Sequence, residues 1–273
     1  MAPADPREVL SRPAPPPDTT LHYGELPEHE ADVYLPEAHA DAGTLVVVVH
    51  GGFWRAQYDR VHIRPLSHAL ATAGFTVASI EFRRTGQTGG GWPGTFDDVA
   101  AAIDDVPALL SDVLGIPIPR RVLLGHSAGG HLVTWAASRP SLPTSSPWFR
   151  PDAGADLVVD LAGVCDLRRA HAMGLDDDAT GLLMGGGPDE VPDRYAVADP
   201  ALLLPAAPVV AVHGSDDDRV PLAVSRSYVD AMAAAGAADR VRLVELTGVE
   251  HFALIDPLST AWPAVLAALA TPD

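Results

Sequence analysis

A serine stands between two glycines in the stretch 125–129, which reads Gly-His-Ser-Ala-Gly. Residues 121–125 have the apolar character of a strand, and a helix-like stretch begins at Ala128. A strand, a sharp turn and a helix in this order raise a serine hydroxyl above a sheet, where it can attack a substrate. The pattern predicts that Ser127 is a nucleophile; a glycine turn capped by serine is the alternative interpretation.

A serine hydroxyl needs a general base, and a histidine oriented by a carboxylate supplies one. In a strand–turn–helix site of this kind the acid and then the histidine follow the serine along the chain. Of the histidines after Ser127, His131 falls on the next helix, His171 lies in an irregular stretch, and His213 ends a predicted strand. His251 follows the last predicted strand, so position and elimination predict that it is the base.

Three adjacent aspartates offer the carboxylate that would orient the base. Asp216, Asp217 and Asp218 follow the predicted strand 209–213, where the acid is expected. Asp166 follows the preceding strand and is less favoured. The residues alone leave the choice among the three adjacent aspartates open, because those not used by the site would simply form a solvated turn.

Attack on a carbonyl creates an oxyanion, and each preorganised backbone N–H can lower that barrier by roughly 3 to 4 kcal/mol. The N–H of Ala128 is one predicted donor, and Gly52 and Phe53, after the strand 44–50, are the others. His50 is interpreted as a residue that orients this loop. Metal-ligand spacing such as His-Glu-x-x-His is lacking, so neither a catalytic metal nor a cofactor is predicted.

Several residues are candidates for a substrate pocket, namely Trp54, Trp92 and His126. Two stretches that interrupt the regular pattern, 87–94 and 168–195, are expected to border that pocket. Aromatic side chains also fill protein cores, so core packing is the competing interpretation for both tryptophans.

Short β-branched runs alternate with helical patterns from Ala31 onward, which predicts an α/β fold with a mostly parallel sheet and helices on both faces. The predicted strands are 31–35, 44–50, 76–82, 121–125, 157–161, 209–213 and 240–246. The predicted helices are 60–73, 96–114, 128–138, 222–235 and 260–270. Pro107 should kink or break the second helix near Ile103.

The chain is expected to form a single domain over residues 31–273, with a small cap-like insertion around 165–195. Residues 1–30 are interpreted as an N-terminal arm, and function is expected to lie elsewhere. The Ala- and Leu-rich stretch 260–270 is interpreted either as a core-packing helix or as the face of a homodimer.

The charge of the chain limits its partners. All 18 basic residues are arginines, and 36 acidic residues give a formal charge of −18. Nucleic acids and anionic membranes are therefore unexpected partners, and lysine-dependent chemistry is excluded. Cys165 has no second cysteine to pair with, and no apolar run approaches the ~20 residues of a membrane helix. These features predict a cytoplasmic protein without a signal peptide or membrane span.

The loop 50–54 (His-Gly-Gly-Phe-Trp) and the stretch 125–132 resemble those of the α/β-hydrolase superfamily, particularly kynurenine formamidases and hormone-sensitive-lipase-like carboxylesterases. The stretches 81–84 and 92–98 resemble bacterial hydrolases of this group. The lipase-like branch usually has a third glycine at the position of Phe53, which favours the formamidase-like branch. The resemblance also implies Asp217 as the acid, because its place between His213 and Pro221 matches the acid loop of related hydrolases.

The leading hypothesis is a serine hydrolase that cleaves a small carboxylic ester or activated amide through an acyl-enzyme. Three alternatives stay open: an N-formylkynurenine formamidase, a peptidase of the same fold, and a noncatalytic receptor for a small ligand. Fold-level likeness does not choose among them.

Overall fold

The computed structural model of the chain describes residues 5–37, 43–115 and 117–270. Its centre is an eight-stranded sheet with the order β1-β2-β4-β3-β5-β6-β7-β8. The strands are β1 (Thr19–His22), β2 (Glu30–Tyr34), β3 (Thr44–Val49), β4 (Thr76–Ile80), β5 (Arg120–His126), β6 (Leu157–Leu161), β7 (Val209–Gly214) and β8 (Val241–Leu246).

The six strands from β4 to β8 in the sheet are parallel, whereas β1 and β2 pair antiparallel at one edge. The sequence of β3 is apolar throughout, without alternation of apolar and polar residues, because both of its faces are buried. Val46 and Val48 enter one core layer, and Val47 and Val49 enter the other. Because both faces of a parallel sheet are covered, its central strands read as continuous apolar runs.

Helices cover the two faces of the sheet as the sequence predicts. One layer receives the apolar faces of α2, α3 and α7, and the other receives those of α1 and α8. The helices are α1 (Arg64–Thr72), α2 (Gly94–Leu114), α3 (Ala128–Ala137), α4 (Leu167–Ala172), α5 (Leu175–Met184), α6 (Pro192–Ala198), α7 (Ala223–Ala234) and α8 (Trp262–Leu269).

The expected break near Ile103 is wrong, because α2 runs without interruption through Pro107. A proline inside a helix removes one backbone hydrogen bond and crowds the preceding turn. Here Phe96, Ile103 and Leu110 are all buried on the same core layer, on both sides of the proline. Burial of that continuous apolar face compensates for the missing bond.

Residues 165–195 include α4, α5 and the beginning of α6. Within α5, Asp176, Asp177 and Asp178 have left-handed backbone angles, so the regular turns begin only after them. The Arg55 guanidinium donates a hydrogen bond of 2.7 Å to Asp176, which ties this stretch to the loop after β3. A separate cap-like unit stays a prediction.

The N-terminal stretch contains two elements that the sequence did not predict. Pro6–Ser11 forms a 3₁₀ helix, which we call the N-terminal 3₁₀ helix, and β1 joins the sheet beside β2. Asp5 caps the 3₁₀ helix by accepting a bond from the N–H of Arg7. Val9 is only 1% exposed, so the helix is packed onto the rest of the protein.

The Ala- and Leu-rich stretch near the C-terminus forms α8. Val265, Ala268 and Leu269 are buried in the core layer that α8 shares with α1. Core packing therefore explains the composition of the stretch, and a homodimer stays a prediction. Within residues 5–37, 43–115 and 117–270, no helix combines the length and the apolar character needed to cross a bilayer.

Candidate active site

Ser127 lies at the sharp turn between β5 and α3. Its φ of 57° and ψ of −117° lie outside the regions that non-glycine residues ordinarily occupy, a conformation that costs about 1–3 kcal/mol. The backbone is held there from the neighbouring strand: the Ser127 N–H donates to the Leu161 carbonyl at 2.8 Å, and the Val164 N–H donates back to Ser127 at 3.3 Å. The turn is therefore maintained against its own strain.

Glycines allow strand and helix to meet at this turn. A Cβ atom on Gly125 would lie 2.1 Å from the carbonyl oxygen of Gly129, and one on Gly129 would lie 2.0 Å from that of Val49. Both distances are far below a van der Waals contact. Larger residues at either position would force α3 away from β3 and β5, as the sequence predicts.

His251 and Asp217 come together at the carboxyl edge of the sheet, in the loops after β8 and β7. The His251 Nδ1 lies 2.6 Å from an Asp217 carboxylate oxygen. The other carboxylate oxygen accepts the N–H groups of Arg219 and Val220 at 2.9 and 2.8 Å. Since Nδ1–H donates to Asp217, the network leaves the His251 Nε2 as a proton acceptor.

The carboxylate of Asp217 is ionised despite its burial. Burial acts to raise the pKa of Asp217, but hydrogen bonds from His213, His251 and the backbone hold that pKa well below its usual range. The neighbours Asp216 and Asp218 are exposed. Asp166 instead caps α4 and accepts a bond from Ser227.

His213 is part of this network, although the sequence indicated only the end of a strand. Its Nε2 lies 3.2 Å from Asp217 and 2.8 Å from the Val220 carbonyl. Its Nδ1 lies 2.7 Å from the Ser225 hydroxyl. Two acceptors at Nε2 require a proton there, so His213 is a second donor to the carboxylate that orients His251.

The loop after β3 is anchored by a buried pair of His50 and Glu81. The His50 Nε2 lies 2.9 Å from Glu81, and its Nδ1 lies 2.7 Å from the Gly51 carbonyl. Burial acts to raise the pKa of Glu81, but the attraction of His50 and Arg84 holds it at about 2. His50 thus orients the loop that carries Gly52 and Phe53.

Gly52 and Phe53 line the same cavity as Ser127, and both have a positive φ, 110° and 48°. Ala128 is the first residue of α3. The first N–H groups of a helix have no acceptor within the helix, so the Ala128 N–H is available for a ligand. Gly52 and Phe53 thus share a cavity with Ser127, and Ala128 follows it directly; their role as oxyanion donors stays a prediction.

A substitution at Gly51 tests this loop. An added Cβ would lie 2.9 Å from the His126 carbonyl oxygen and 3.1 Å from the Ser127 Cβ. We expect Gly51→Ala to push the loop away from the turn and lower kcat for an ester about 100-fold, the cost of a displaced oxyanion donor. Steady-state kinetics measures the effect. The control Gly187→Ala has a similarly tight contact of 2.9 Å, but with the His171 side chain, and should retain activity.

Ser127, His126 and His251 line a cavity of about 170 Å³. The His126 Nε2 lies 3.2 Å from the His251 carbonyl oxygen. The cavity is lined by Arg7, Leu10, Gly52, Phe53, Tyr58, His62, His126, Ser127, Arg219, His251 and Phe252. Of the three pocket residues predicted from the sequence, His126 lies here.

The other two pocket predictions differ from the structure. Trp54 is 1% exposed and packs edge-on against His131 in the core, 5.3 Å between ring centroids. Trp92 lines a different surface depression with Trp148. Residues 168–190 line another depression, so neither irregular stretch borders the cavity of Ser127. Sequence alone does not say which side of a loop its aromatic side chains occupy.

The cavity wall includes residues that the sequence did not indicate. Arg7 and Leu10 come from the N-terminal 3₁₀ helix, so part of the stretch interpreted as an arm lines the cavity of Ser127. Arg219 follows Asp217 closely, and Phe252 follows His251. Nearness to the predicted acid and base was the available signal for these two; Arg7 and Leu10 had none.

Within the described ranges, no cluster of three or more histidine, cysteine or acidic side chains is arranged to hold a metal ion. Cys165 is buried, and burial raises the pKa of its thiol well above the usual value. The prediction that no metal or cofactor takes part stays a prediction.

Asp160 of β6 is buried beneath the serine turn, with the Cys165 Sγ 3.4 Å from its carboxylate. Burial raises the pKa of Asp160 to about 6. The folded state therefore binds this proton more tightly than the unfolded chain does. The resulting stability is fully present below about pH 4 and is lost as the pH rises through about 6.

Replacement of this carboxyl tests its titration. The wild type should lose roughly 3 kcal/mol of unfolding free energy between about pH 4 and 6 as Asp160 ionises. We expect Asp160→Asn, which cannot ionise, not to show this loss. Denaturant unfolding of both proteins at several pH values measures the difference. An equal pH slope in the two proteins would show that Asp160 does not titrate in this range.

Comparison with known protein families matches residues 31–232 to BD-FAE, well over half of the chain. The chain belongs to the BD-FAE family. The matched range of this BD-FAE protein includes Ser127 and Asp217 but not His251, which lies beyond it.

Curated relatives of the BD-FAE chain are esterases by name. It is 29% identical over 228 residues to the "Probable carboxylic ester hydrolase LipM" of Mycobacterium tuberculosis, covering 78% of this chain and 51% of the relative. It is 29% identical over 261 residues to the isoprenylcysteine alpha-carbonyl methylesterase ICME of Arabidopsis thaliana, covering 88% and 58%. The chain spans between half and three fifths of the length of these two relatives.

Solved structures share the fold. A truncated carbohydrate esterase from gut microbiota has a TM-score of 0.75 at 22% identity, covering 94% of this BD-FAE chain and 99% of that one. The propionate-bound esterase Est2 of Thermogutta terrifontis has a TM-score of 0.68 at 21% identity, covering 92% and 90%. The predicted α/β-hydrolase fold is confirmed.

Proposed function

We propose that this protein is a serine hydrolase that cleaves small carboxylic esters. The observation that carries the proposal is a hydrogen bond of 2.6 Å between His251 and Asp217, with His251 and Ser127 lining one cavity. Esterase names among the curated relatives support the same reaction. Ser127 is the proposed nucleophile, His251 the base and Asp217 the acid.

The reaction begins when His251 Nε2 takes the proton of the Ser127 hydroxyl as its oxygen attacks the ester carbonyl. Asp217 holds the His251 Nδ1–H and stabilises the imidazolium that forms. His251 then gives the proton to the leaving alkoxide, and an acyl-serine remains. Water, activated by the same imidazole, releases the acid and restores the hydroxyl.

The negative oxygen of each tetrahedral intermediate is assigned to the backbone N–H groups of Gly52, Phe53 and Ala128. Such donors act most strongly when they are fixed before the reaction begins. The buried His50–Glu81 pair and the start of α3 supply that rigidity here.

N-formylkynurenine hydrolysis is the second candidate. It rests on Phe53, which stands where lipase-like esterases usually have a third glycine and which lines the cavity. Ser127 would attack the formamide carbonyl with the same help from His251 and Asp217, and the arylamine would be the leaving group. Peptide cleavage is a third outcome of the experiment below.

The test is a panel of short p-nitrophenyl esters, N-formylkynurenine and an aminoacyl amide, combined with titration by a fluorophosphonate. We expect the esters to give the highest kcat/KM and the label to bind Ser127 at one equivalent per chain. Dominance of the formyl substrate would favour the formamidase. Absence of both turnover and labelling would identify a noncatalytic receptor and overturn the proposal.

The setting of the reaction is also part of the proposal. A reducing compartment such as the cytoplasm is supported by the single, buried Cys165. The formal charge of −18 supports the proposal that nucleic acids are not among its binding partners.

A further inference from the structure

The charges around the cavity of Ser127 differ from those of the protein as a whole. The chain has twice as many acidic as basic residues and a formal charge of −18. Yet the cavity is lined by two arginines, Arg7 and Arg219, and by neither an aspartate nor a glutamate of the described ranges. The side chains that line the cavity therefore carry an excess of positive charge, opposite in sign to the chain as a whole.

These two arginines make no ion pair with a described carboxylate. Nine other arginines do, and most of them are thereby neutralised in place: Arg12, Arg55, Arg60, Arg64, Arg83, Arg84, Arg139, Arg150 and Arg226. Arg7 is exposed and Arg219 is half-buried. Their guanidinium groups are available to a ligand.

The histidines of the cavity add little positive charge. Burial and the neighbouring His50 lower the pKa of His62 to about 4. Burial and the neighbouring His251 hold the pKa of His126 well below its usual range. Both shifts favour the uncharged rings at neutral pH, so neither ring adds to the positive charge that Arg7 and Arg219 bring to the lining.

Hydrogen bonds fix the two segments of chain that carry these arginines. The Arg219 N–H donates to Asp217 at 2.9 Å, which fixes Arg219 beside the proposed acid. Arg7 belongs to the N-terminal 3₁₀ helix, and Arg12 just after that helix forms a two-bond pair with Asp256, one of the bonds 2.9 Å long. Asp256 caps the C-terminal end of the 3₁₀ helix that begins at His251.

We propose that Arg7 and Arg219 select esters that carry a second, negatively charged group, such as the free carboxylate of a dicarboxylic acid monoester. The inference rests on the proposed ester hydrolysis at Ser127 and specifies its substrate class. Guanidinium groups bind carboxylates through paired, charge-assisted hydrogen bonds, which are about twice as strong as neutral ones. Arg12 acts as a positioning residue, because it holds the segment that carries Arg7.

The test compares matched esters that differ in one charge. Phenyl hydrogen adipate and the phenyl ester of adipamic acid place the carboxylate or its neutral amide on the acyl side. 4-Acetoxybenzoate and 4-acetoxybenzamide place them on the alcohol side. We expect the kcat/KM ratio of charged to neutral ester to be roughly 10 to 100 in one of the two pairs.

Variants then locate the selectivity. Arg7→Gln and Arg219→Gln should each lower that ratio about threefold to tenfold, with Lys at either position restoring part of it, since charge without the planar fork remains. Arg12→Gln should lower the ratio mainly through KM of the charged ester. The matched control Arg242→Gln, an exposed arginine of β8, should keep the wild-type ratio. Added salt should lower the wild-type ratio.

Two outcomes would overturn the inference: a wild-type ratio near or below one in both ester pairs, or an unchanged ratio in both glutamine variants. Fluorophosphonate labelling keeps this apart from the proposed function. If the protein is labelled and cleaves charged and neutral esters equally well, the proposed esterase activity stands and only the proposed role of the arginines fails. Protein that is neither labelled nor active fails at the proposed function itself.

Discussion

Ser127→Ala is expected to lower kcat for a short carboxylic ester by about 10⁵- to 10⁶-fold, because no acyl-enzyme can form without the hydroxyl. The alanine side chain fits, since Ser127 holds its turn through backbone bonds to Leu161 and Val164. The fold should therefore persist while turnover disappears. Release of p-nitrophenol measures the rate, and circular dichroism checks the fold.

Ser145→Ala is a matched control, because Ser145 is an exposed serine outside the cavity. It should retain full activity and full fluorophosphonate labelling. Mass spectrometry after brief mixing with the ester should find an acyl group on the wild type at Ser127. Equal rates for wild type and Ser127→Ala would remove Ser127 from the mechanism.

Asp217→Asn is expected to lower kcat about 10³- to 10⁴-fold with little change in KM. An asparagine amide can donate to His251 Nδ1, which stabilises the tautomer that carries its proton on Nε2 and cannot accept one from Ser127. The three donors around the carboxylate, His213 and the N–H groups of Arg219 and Val220, would also face a neutral group. Steady-state kinetics at pH 8 measures the loss.

The same substitution carries a signature in stability. Because the pKa of Asp217 is depressed in the folded state, its ionised form stabilises the fold above the unfolded pKa, and that contribution is lost as the pH falls through the folded value. We expect Asp217→Asn to be less stable than wild type at pH 7, with the difference shrinking below about pH 4. Denaturant unfolding of both proteins, at pH 7 and below pH 4, measures this difference in unfolding free energy.

Asp216→Asn and Asp218→Asn are the matched controls, because both neighbours are exposed. Each should keep kcat within about twofold of wild type. A large loss in either of them, together with an active Asp217→Asn, would move the acid to the neighbouring position.

Elements whose signal is local were predictable from sequence. β6 coincides with the predicted 157–161, because a strand buried on both faces reads as an apolar run. β1 was missed because its four residues are half-buried or exposed and lack that run. At Pro107 the local rule was overridden by packing of α2 on both sides of the proline.

The candidate site also has a part that local sequence patterns indicate and a part that only the folded chain brings together. Ser127 and His251 each follow a strand in a recognisable loop, so sequence order suggested them, whereas the choice of Asp217 among three adjacent aspartates came from the resemblance to related hydrolases. The cavity wall combines Arg7 with residues more than a hundred positions later, and such proximity exists only in the folded chain. The tryptophans were misassigned because burial in a core and contact with a ligand call for the same side chains.

The N-terminal 3₁₀ helix lies outside the range 31–232 that defines family membership, yet it forms part of the wall around the serine. Two proteins of this family can therefore share every residue of the reacting machinery and still differ in which molecules they admit. In laboratory evolution, we expect randomising Arg7 and Leu10, with the buried Val9 kept, to alter substrate preference while the reacting residues stay unchanged.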